Sequence, residues 1–510
     1  MRNGISFDVK LKYFILFFCY SIALAVIFQK FILSFLPSLH AVNGLLPGDA
    51  QYFNEVAVKL ANQIISNGWG AWKFYPAYGA TGNTSLLAAF YAALGFDPAW
   101  MILINALLHA AGGILIVRIS ALIIPGNIGA RAGIIAATFF VVFPSSLNWY
   151  GQIHKDGFSI FSTLLFLNVW LKSDDLNNTG WLFVFEFFAA VFLSVMVRPY
   201  HLYFVLIGFA TMFLFEILCE AVKYVCHGGF ACKRMTLKLL LIAGIALAIQ
   251  VAPKGDQMGY TSWNGGFFAG NNLSETPWEW QPTSFIPSKL DKFMEIVAKT
   301  RAGMINNALQ ANASSMIDVD VRPNNFVDVI LYLPRAAQIA MFAPFPSKWF
   351  EKNGALRYVA VAETLIWYLL APGVFLLLSA GFNKKLIGLL IFSLSCMAVL
   401  GFTIANVGSL YRVRYVFLFV FIMAGVIGWQ QFFDLHKNKM ACVRLRESVR
   451  WIGAAVPFAL MGLLVVAMGC AIYSGSLASI IACVVGFVSL GLVVWFDRRG
   501  MGVYGNSGQK

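Results

Sequence analysis

Apolar runs of about 20 residues, almost free of charge, recur along this chain, and each can cross a hydrocarbon layer of roughly 30 Å. Charged residues make up 12% of the 510 residues and hydrophobic ones 59%. Soluble proteins carry about twice that charge. The fold class expected is therefore an all-α polytopic membrane protein. A formal net charge of +14 in a soluble chain would point to nucleic acid. Here the membrane accounts for it, and no nucleic-acid partner is expected.

Twelve spans are expected, at residues 13–35, 98–122, 132–149, 157–171, 180–197, 201–222, 237–252, 358–380, 386–404, 415–433, 451–473 and 477–496. With a cytoplasmic N-terminus, the inner connections receive Arg131, Lys172, Lys223, Lys233, Arg234, Lys238, Lys384 and Lys385, the basic run 437–450, and Arg498 and Arg499. Every inner connection is then basic, as the positive-inside rule requires. Both termini are expected in the cytoplasm and the chain in the cell's inner (plasma) membrane. Arg2, Lys10 and Lys12 precede a run too long for a signal-peptide core, which reads as an anchor. Residues 84–96 are too short to cross comfortably and are expected to be re-entrant or interfacial.

Two long outward segments remain, 36–97 and 253–357. The expected organisation is a transmembrane module over 1–252, an outer loop over 253–357, and further transmembrane helices over 358–510. The second loop is rich in Trp, Asn and Pro, with an amphipathic helix expected at 288–302. Its Trp263, Trp278 and Trp280 suit either stacking on sugar rings or anchoring at the interface. None of the eight cysteines lies in either long outer segment, so no disulfide framework is expected there. Cys219, Cys226 and Cys232 flank His227 at spacings that miss the usual zinc patterns.

The stretch "LLPGDAQYFNEVAVKLANQ" follows the first span. Pro47-Gly48 marks a turn, and Asp49 can cap the helix that follows. Phe53, Val56, Leu60 and Ile64 recur on one face, with Glu55 and Lys59 spaced as an i,i+4 pair. Asn67-Gly68 ends the helix. Its apolar face predicts a seat flat on the outer membrane surface. Asp49 is thus either a cap or a carboxylate held where a lipid-borne substrate arrives.

Other outer positions carry charge that short outer turns ordinarily lack. Lys155 and Asp156 stand at the outer end of the third span, Arg198 between the fifth and sixth, and Arg412 and Arg414 at the start of the tenth. Each cation can snorkel to headgroups, and Asp156 can cap a helix. Together they suggest an anion site facing a base, suited to the phosphate of a lipid carrier. Two embedded acids, Glu186 and Glu363, keep open a lipid-linked oligosaccharide flippase or other transporter, since transporters hold ionisable groups near the midplane.

"PGDAQYFNEVA" resembles the first-loop motif of the C-type (GT-C) membrane glycosyltransferases, which take sugar from polyprenyl-phosphate carriers. These include the protein mannosyltransferases, the lipid A aminoarabinose transferase and the arabinosyltransferases. The resemblance continues through "YPAYGATGNTSLLAAFYAALGFDPAWMILINALL", "FPSSLNWYGQIHKDGF" and the Arg-Pro-Tyr turn, covering roughly residues 10–215. "FAPFPSKW" and "NVGSLYRVRY" are similar to segments of polysaccharide members.

The resemblance implies a GT-C-like bundle, with a lipid-linked sugar donor and a glycan, lipid or protein acceptor as partners. It places the acceptor-activating acid on Asp49 and the second-loop acid on Asp156, which would orient the acceptor or help bind a divalent metal. Tyr52, Lys155, Arg198, Arg412 and Arg414 are the substrate-binding candidates, and one displacement would invert the anomeric centre. Many members carry a longer C-terminal soluble domain, and its expected absence here leaves the acceptor unspecified. An O-antigen polymerase or ligase, which takes diphosphate-linked donors, is the neighbouring alternative.

Overall fold

A computed structural model gives the chain's fold. It describes residues 6–77, 79–229, 231–253, 278–310, 315–349, 355–381 and 383–436, with Val484 and Val488. The expected spans 451–473 and 477–496, the basic run 437–450, Arg498, Arg499 and Trp263 lie outside the described residues. Those described form helices, with two isolated β-bridges, Ala77 to Ala80 and Met316 to Asn406. The chain is an all-α, multi-pass membrane protein.

The helices are α1 (Phe7–Lys30), α2 (Asp49–Asn67), α3 (Gly82–Leu94), α4 (Trp100–Ile123), α5 (Asn127–Val142), α6 (Leu147–Tyr150), α7 (Asp156–Lys172) and α8 (Trp181–Val197). There follow α9 (His201–His227), α10 (Cys232–Val251), α11 (Ser288–Gln310), α12 (Phe326–Phe342), α13 (Ala355–Ser379), α14 (Lys384–Thr403), α15 (Val407–Val413) and α16 (Tyr415–His436). The ten expected spans within the described residues all fall on this series. Seven of these helices are long and apolar enough to cross a membrane, or eight if α5 and α6 form one bent span. The total of twelve is therefore not fixed by them. The α5–α6 bend of 55° falls at Pro144, whose ring and missing N–H break the helical ladder.

Two compact units organise the helices. One comprises the described residues of Met1–Lys172, Asn178–Arg198 and Val426–Lys510; the other comprises Ser173–Asn177 and Pro199–Gly425.

In the first unit, Phe53, Val56, Leu60 and Ile64 of α2 are all buried in one apolar cluster with α1, α3 and α4. The expected seat on lipid is thus corrected. The apolar face of α2 is turned onto protein, chiefly α3, because the short run after Gly79 supplies a complementary apolar helix. Gly48 enters α2 with φ +93° and Gly68 leaves it with φ +79°, conformations that cost a side chain strain. The Gly68 amide closes the last turn on the Ile64 carbonyl at 2.8 Å. At the far end of this unit Glu186 pairs with Lys172 at 2.5 Å and Arg118 at 3.4 Å.

In the second unit the expected inner cations are also paired. Lys238, fully buried, bridges Asp174 at 2.6 Å and Glu216 at 2.5 Å, while Lys384 meets Glu220 at 2.8 Å. The helix expected at 288–302 runs eight residues further, as α11. Its Arg301 is buried and donates to the carbonyls of Asp318, Val321 and Phe402, binding the loop to α14.

Candidate active site

The turn ahead of α2 determines where Asp49 stands. The N-cap position belongs to Gly48, and Asp49 is the first helical residue. Capping is therefore not its place; it lies exposed in the first turn, where the helix dipole favours a negative charge. Tyr52 is one turn further on, also exposed, with its ring 5.8 Å from that of Phe53.

A buried glutamine joins this turn to the second acidic segment. The Gln152 carbonyl oxygen of the side chain accepts from the Leu46 amide at 2.8 Å, and its amide nitrogen donates to the Gly44 carbonyl at 3.2 Å. Asn105 of α4 in turn donates to the Gln152 backbone carbonyl at 2.8 Å. Gly44 is required at its own position, since a Cβ there would come within 2.0 Å of the Gln29 carbonyl. The chain before Asp49 is thus fixed from both sides.

Three residues beyond Gln152, Lys155 is buried, and its ammonium lies 5.0 Å from the centre of the Phe53 ring. Such a contact is attractive because the face of an aromatic ring is negative. The same ammonium donates to the Gly79 carbonyl. Lys155 therefore stands against α2 one turn from Asp49. The next residue, Asp156, opens α7 at 1% exposure and accepts from Arg198 at 2.6 Å. Arg198 follows the last turn of α8, its own amide bonded to the Ser194 carbonyl at 2.8 Å.

The structure brings together Asp49, Tyr52, Lys155, Asp156 and Arg198 in the first unit. It leaves Arg412 and Arg414 in the second. Helical geometry turns those two apart, about 200° for neighbours two residues apart. Arg414 is 1% exposed; it donates to the Ala340 carbonyl at 2.7 Å and lies 4.5 Å over the Tyr411 ring. Arg412 remains half-buried.

Metal binding by Asp156 does not fit these surroundings. A guanidinium already neutralises its carboxylate, and an ammonium is on the adjacent residue. Among the described residues no group of three His, Cys, Asp or Glu is disposed to hold an ion. Of the embedded acids, Glu186 is held by its two cations and Glu363 accepts from Tyr411 at 2.7 Å. Trp278 and Trp280 are half-buried, their indole N–H groups bonded to the Pro323 carbonyl at 3.1 Å and to Asp291 at 2.9 Å.

Sequence reasoning missed Gln152, Asn105 and Gly44. A glutamine between aromatic and apolar residues, four positions before an acid, was the available signal. Also missed was an apolar groove of about 540 Å³ in the first unit, whose lining includes Trp69, Trp72, Phe158, Phe192 and Met196.

No family model and no curated protein matches this chain. Its fold is similar to that of two solved Archaeoglobus fulgidus oligosaccharyltransferase structures. For AglB in complex with an inhibitory peptide and a dolichol-phosphate, the TM-score is 0.46 at 15% identity, over 95% of this chain and 56% of that one. For an oligosaccharyltransferase in the apo form, it is 0.43 at 14% identity, over 93% of this chain and 56% of that one. The chain thus spans just over half the length of either.

Proposed function

We propose that this chain is an integral-membrane glycosyltransferase that moves a sugar from a polyprenyl-phosphate carrier to a cell-surface acceptor on the outer face of the inner membrane. The observation that carries this reading is the pinning of an exposed acid beside buried cations. Gln152 ties the Asp49 turn to the segment that bears Lys155 and Asp156. An exposed carboxylate next to buried cations is the arrangement that acceptor activation opposite a leaving phosphate requires.

In this reading Asp49 takes the proton of an acceptor hydroxyl. The hydroxyl oxygen forms a bond to the anomeric carbon as that carbon's bond to the phosphate oxygen breaks, with inversion. The bonding pair leaves with the lipid phosphate. Lys155 and Arg198 stabilise the charge that grows there, because preorganised cations away from water act most strongly on developing charge. Tyr52, exposed one turn from Asp49, borders the acceptor's approach. In the second unit, Arg412, on the opposite side of its helix from the inward-turned Arg414, is proposed by itself as a substrate-binding residue.

Deleting the gene and identifying the lipid-linked sugar that accumulates tests the proposal. A monophosphate-linked sugar is the expected result. A diphosphate-linked oligosaccharide would favour a polymerase or ligase, and no accumulating lipid-linked sugar would contradict the proposal.

A further inference from the structure

Glu186 of α8 has more cations about it than one carboxylate can neutralise. It accepts from Lys172 of α7 at 2.5 Å, from Asn168 one turn earlier at 2.9 Å, and from Arg118 of α4 at 3.4 Å. The Arg118 charge also reaches Lys10 of α1, which is half-buried. Three cations, from helices α1, α4 and α7 of the first unit, thus share one acid. Charge left uncompensated beside hydrocarbon is costly, so this surplus calls for a further anion.

The cluster lies close to the helix ends. Lys172 closes α7, Lys10 is three residues into α1, Glu186 is five residues into α8, and Arg118 is five residues short of the end of α4. Each is therefore within about 8 Å of its helix terminus. That is the depth of lipid headgroups, which exposed Trp181 at the start of α8 also favours. Arg118 keeps 35% of its side chain exposed and gives Glu186 one distant nitrogen. Its planar fork has donors left for a phosphate. Phe185, beside Glu186, is exposed and offers apolar surface to an acyl chain. Asp156, at the other end of α7, is about 24 Å away along the helix, so this cluster is separate from the candidate active site.

We propose that Arg118 and Lys10, with Lys172 behind them, form a site for one anionic phospholipid of the leaflet at this end of the bundle, the inner leaflet in the orientation read from the sequence. The lipid phosphate takes the open side of the Arg118 fork and the Lys10 ammonium. Glu186 holds Lys172 in place, and an acyl chain lies along the exposed face of α8. Basic pockets between membrane helices on the cytoplasmic side suit anionic headgroups, which that leaflet supplies. Cations that snorkel singly attract headgroups without fixing any one of them. Convergence of these side chains on one spot is what makes a site.

Native mass spectrometry of the purified, full-length protein in detergent can test this with dioleoyl phosphatidylglycerol, dioleoyl phosphatidylcholine and inorganic phosphate as separate probes. One phosphatidylglycerol per chain should bind about tenfold more tightly than either of the others, a difference of about 1.4 kcal/mol. Arg118→Gln and Lys10→Gln should each remove most of that preference. Arg131→Gln, which removes an exposed cation of α5, should leave it intact. An equal loss on Arg131→Gln would mean diffuse attraction and overturn the site. Equal binding of phosphatidylcholine overturns the anionic headgroup, and equal binding of inorganic phosphate overturns the lipid.

Hydrogen exchange on the unmutated protein gives a second reading should a variant not fold. Phosphatidylglycerol should protect the peptides around residues 181–187 and 116–122 and leave the one around 155–160 unchanged. Protection confined to the 155–160 peptide, or to none of the three, would contradict the placement. Neither assay needs sugar transfer, so Asp49→Asn protein should bind the lipid as the unmutated chain does. Failure here therefore stays separable from failure of the transferase reading.

Discussion

The Leu46 amide donates to the side-chain carbonyl of Gln152 at 2.8 Å, a bond that spans 106 positions of sequence. With its partner bond to Gly44, it couples the loop that ends at Asp49 to the segment that leads into Lys155 and Asp156. Gln152→Ala would leave the Leu46 amide without this acceptor. The expected cost is roughly 1–3 kcal/mol, the range for an orphaned buried donor. Sugar transfer should fall more steeply than donor affinity, since the turn that moves belongs to Asp49. Thermal unfolding with kcat and KM checks this; a stability loss with unchanged kcat would show that the bond serves folding alone.

Arg412 and Arg414 should separate in their effects. Arg414→Ala removes a buried charge from the Ala340 carbonyl and the Tyr411 ring, and should destabilise the protein by roughly 1.5–3 kcal/mol. Arg412→Ala should leave the melting temperature nearly unchanged and weaken donor binding by a similar amount. Arg412→Lys should restore only part of that if the contact is bidentate. Normal donor binding by the Arg412→Ala protein would mark this arginine as a headgroup anchor.

Acid sensitivity in the second unit should centre on Asp318. Burial alone would raise its carboxyl, but hydrogen bonds from Arg335 and Tyr332 outweigh this and hold it below its ordinary value. A depressed carboxylate contributes stability above its unfolded pKa of about 3.9 and loses it as pH falls through the lower folded value. Arg335→Ala should therefore melt earlier than the unmutated protein at pH 7, with the gap closing below about pH 4. A gap independent of pH would rule out this linkage.

Much of the fold was legible because span length and helical periodicity are local properties. The apolar stripe of α2, its glycine stop and the seven helices long and apolar enough to cross a membrane all follow from spacing along the chain. What covers the stripe was not legible. An apolar face looks the same in sequence whether lipid or α3 buries it, and only folding brought α3 to it. The site divided in the same way. Asp49, Lys155, Asp156 and Arg198 stood out as charges at apolar borders, but the tie between the Asp49 turn and the Lys155–Asp156 segment runs through Gln152, a neutral side chain whose partners are over a hundred residues away. Arg412 and Arg414 looked equivalent in sequence, and the turn of helix through α15 makes them differ.

Orientation can be tested separately from chemistry. Single cysteines at Gly79 and Ser288 should react with an impermeant thiol reagent in intact cells, in a background without native cysteines. A cysteine at Asn383, the N-cap of α14, should not. One at Asn438, outside the described residues, should be equally protected. Labelling at Asn383 would reverse the orientation and place the acids on the cytoplasmic side.

The most direct measurement is the transfer rate of purified Asp49→Asn protein. Asn keeps the size and the helical position, and at an exposed first turn it forfeits about 0.3–1 kcal/mol of dipole interaction at most. Fold, expression and donor affinity should therefore survive, while transfer falls roughly 10²–10⁴-fold, the usual worth of a positioned base. Folded Asp49→Asn protein that transfers sugar at near the unmutated rate would contradict the role of Asp49 as the base.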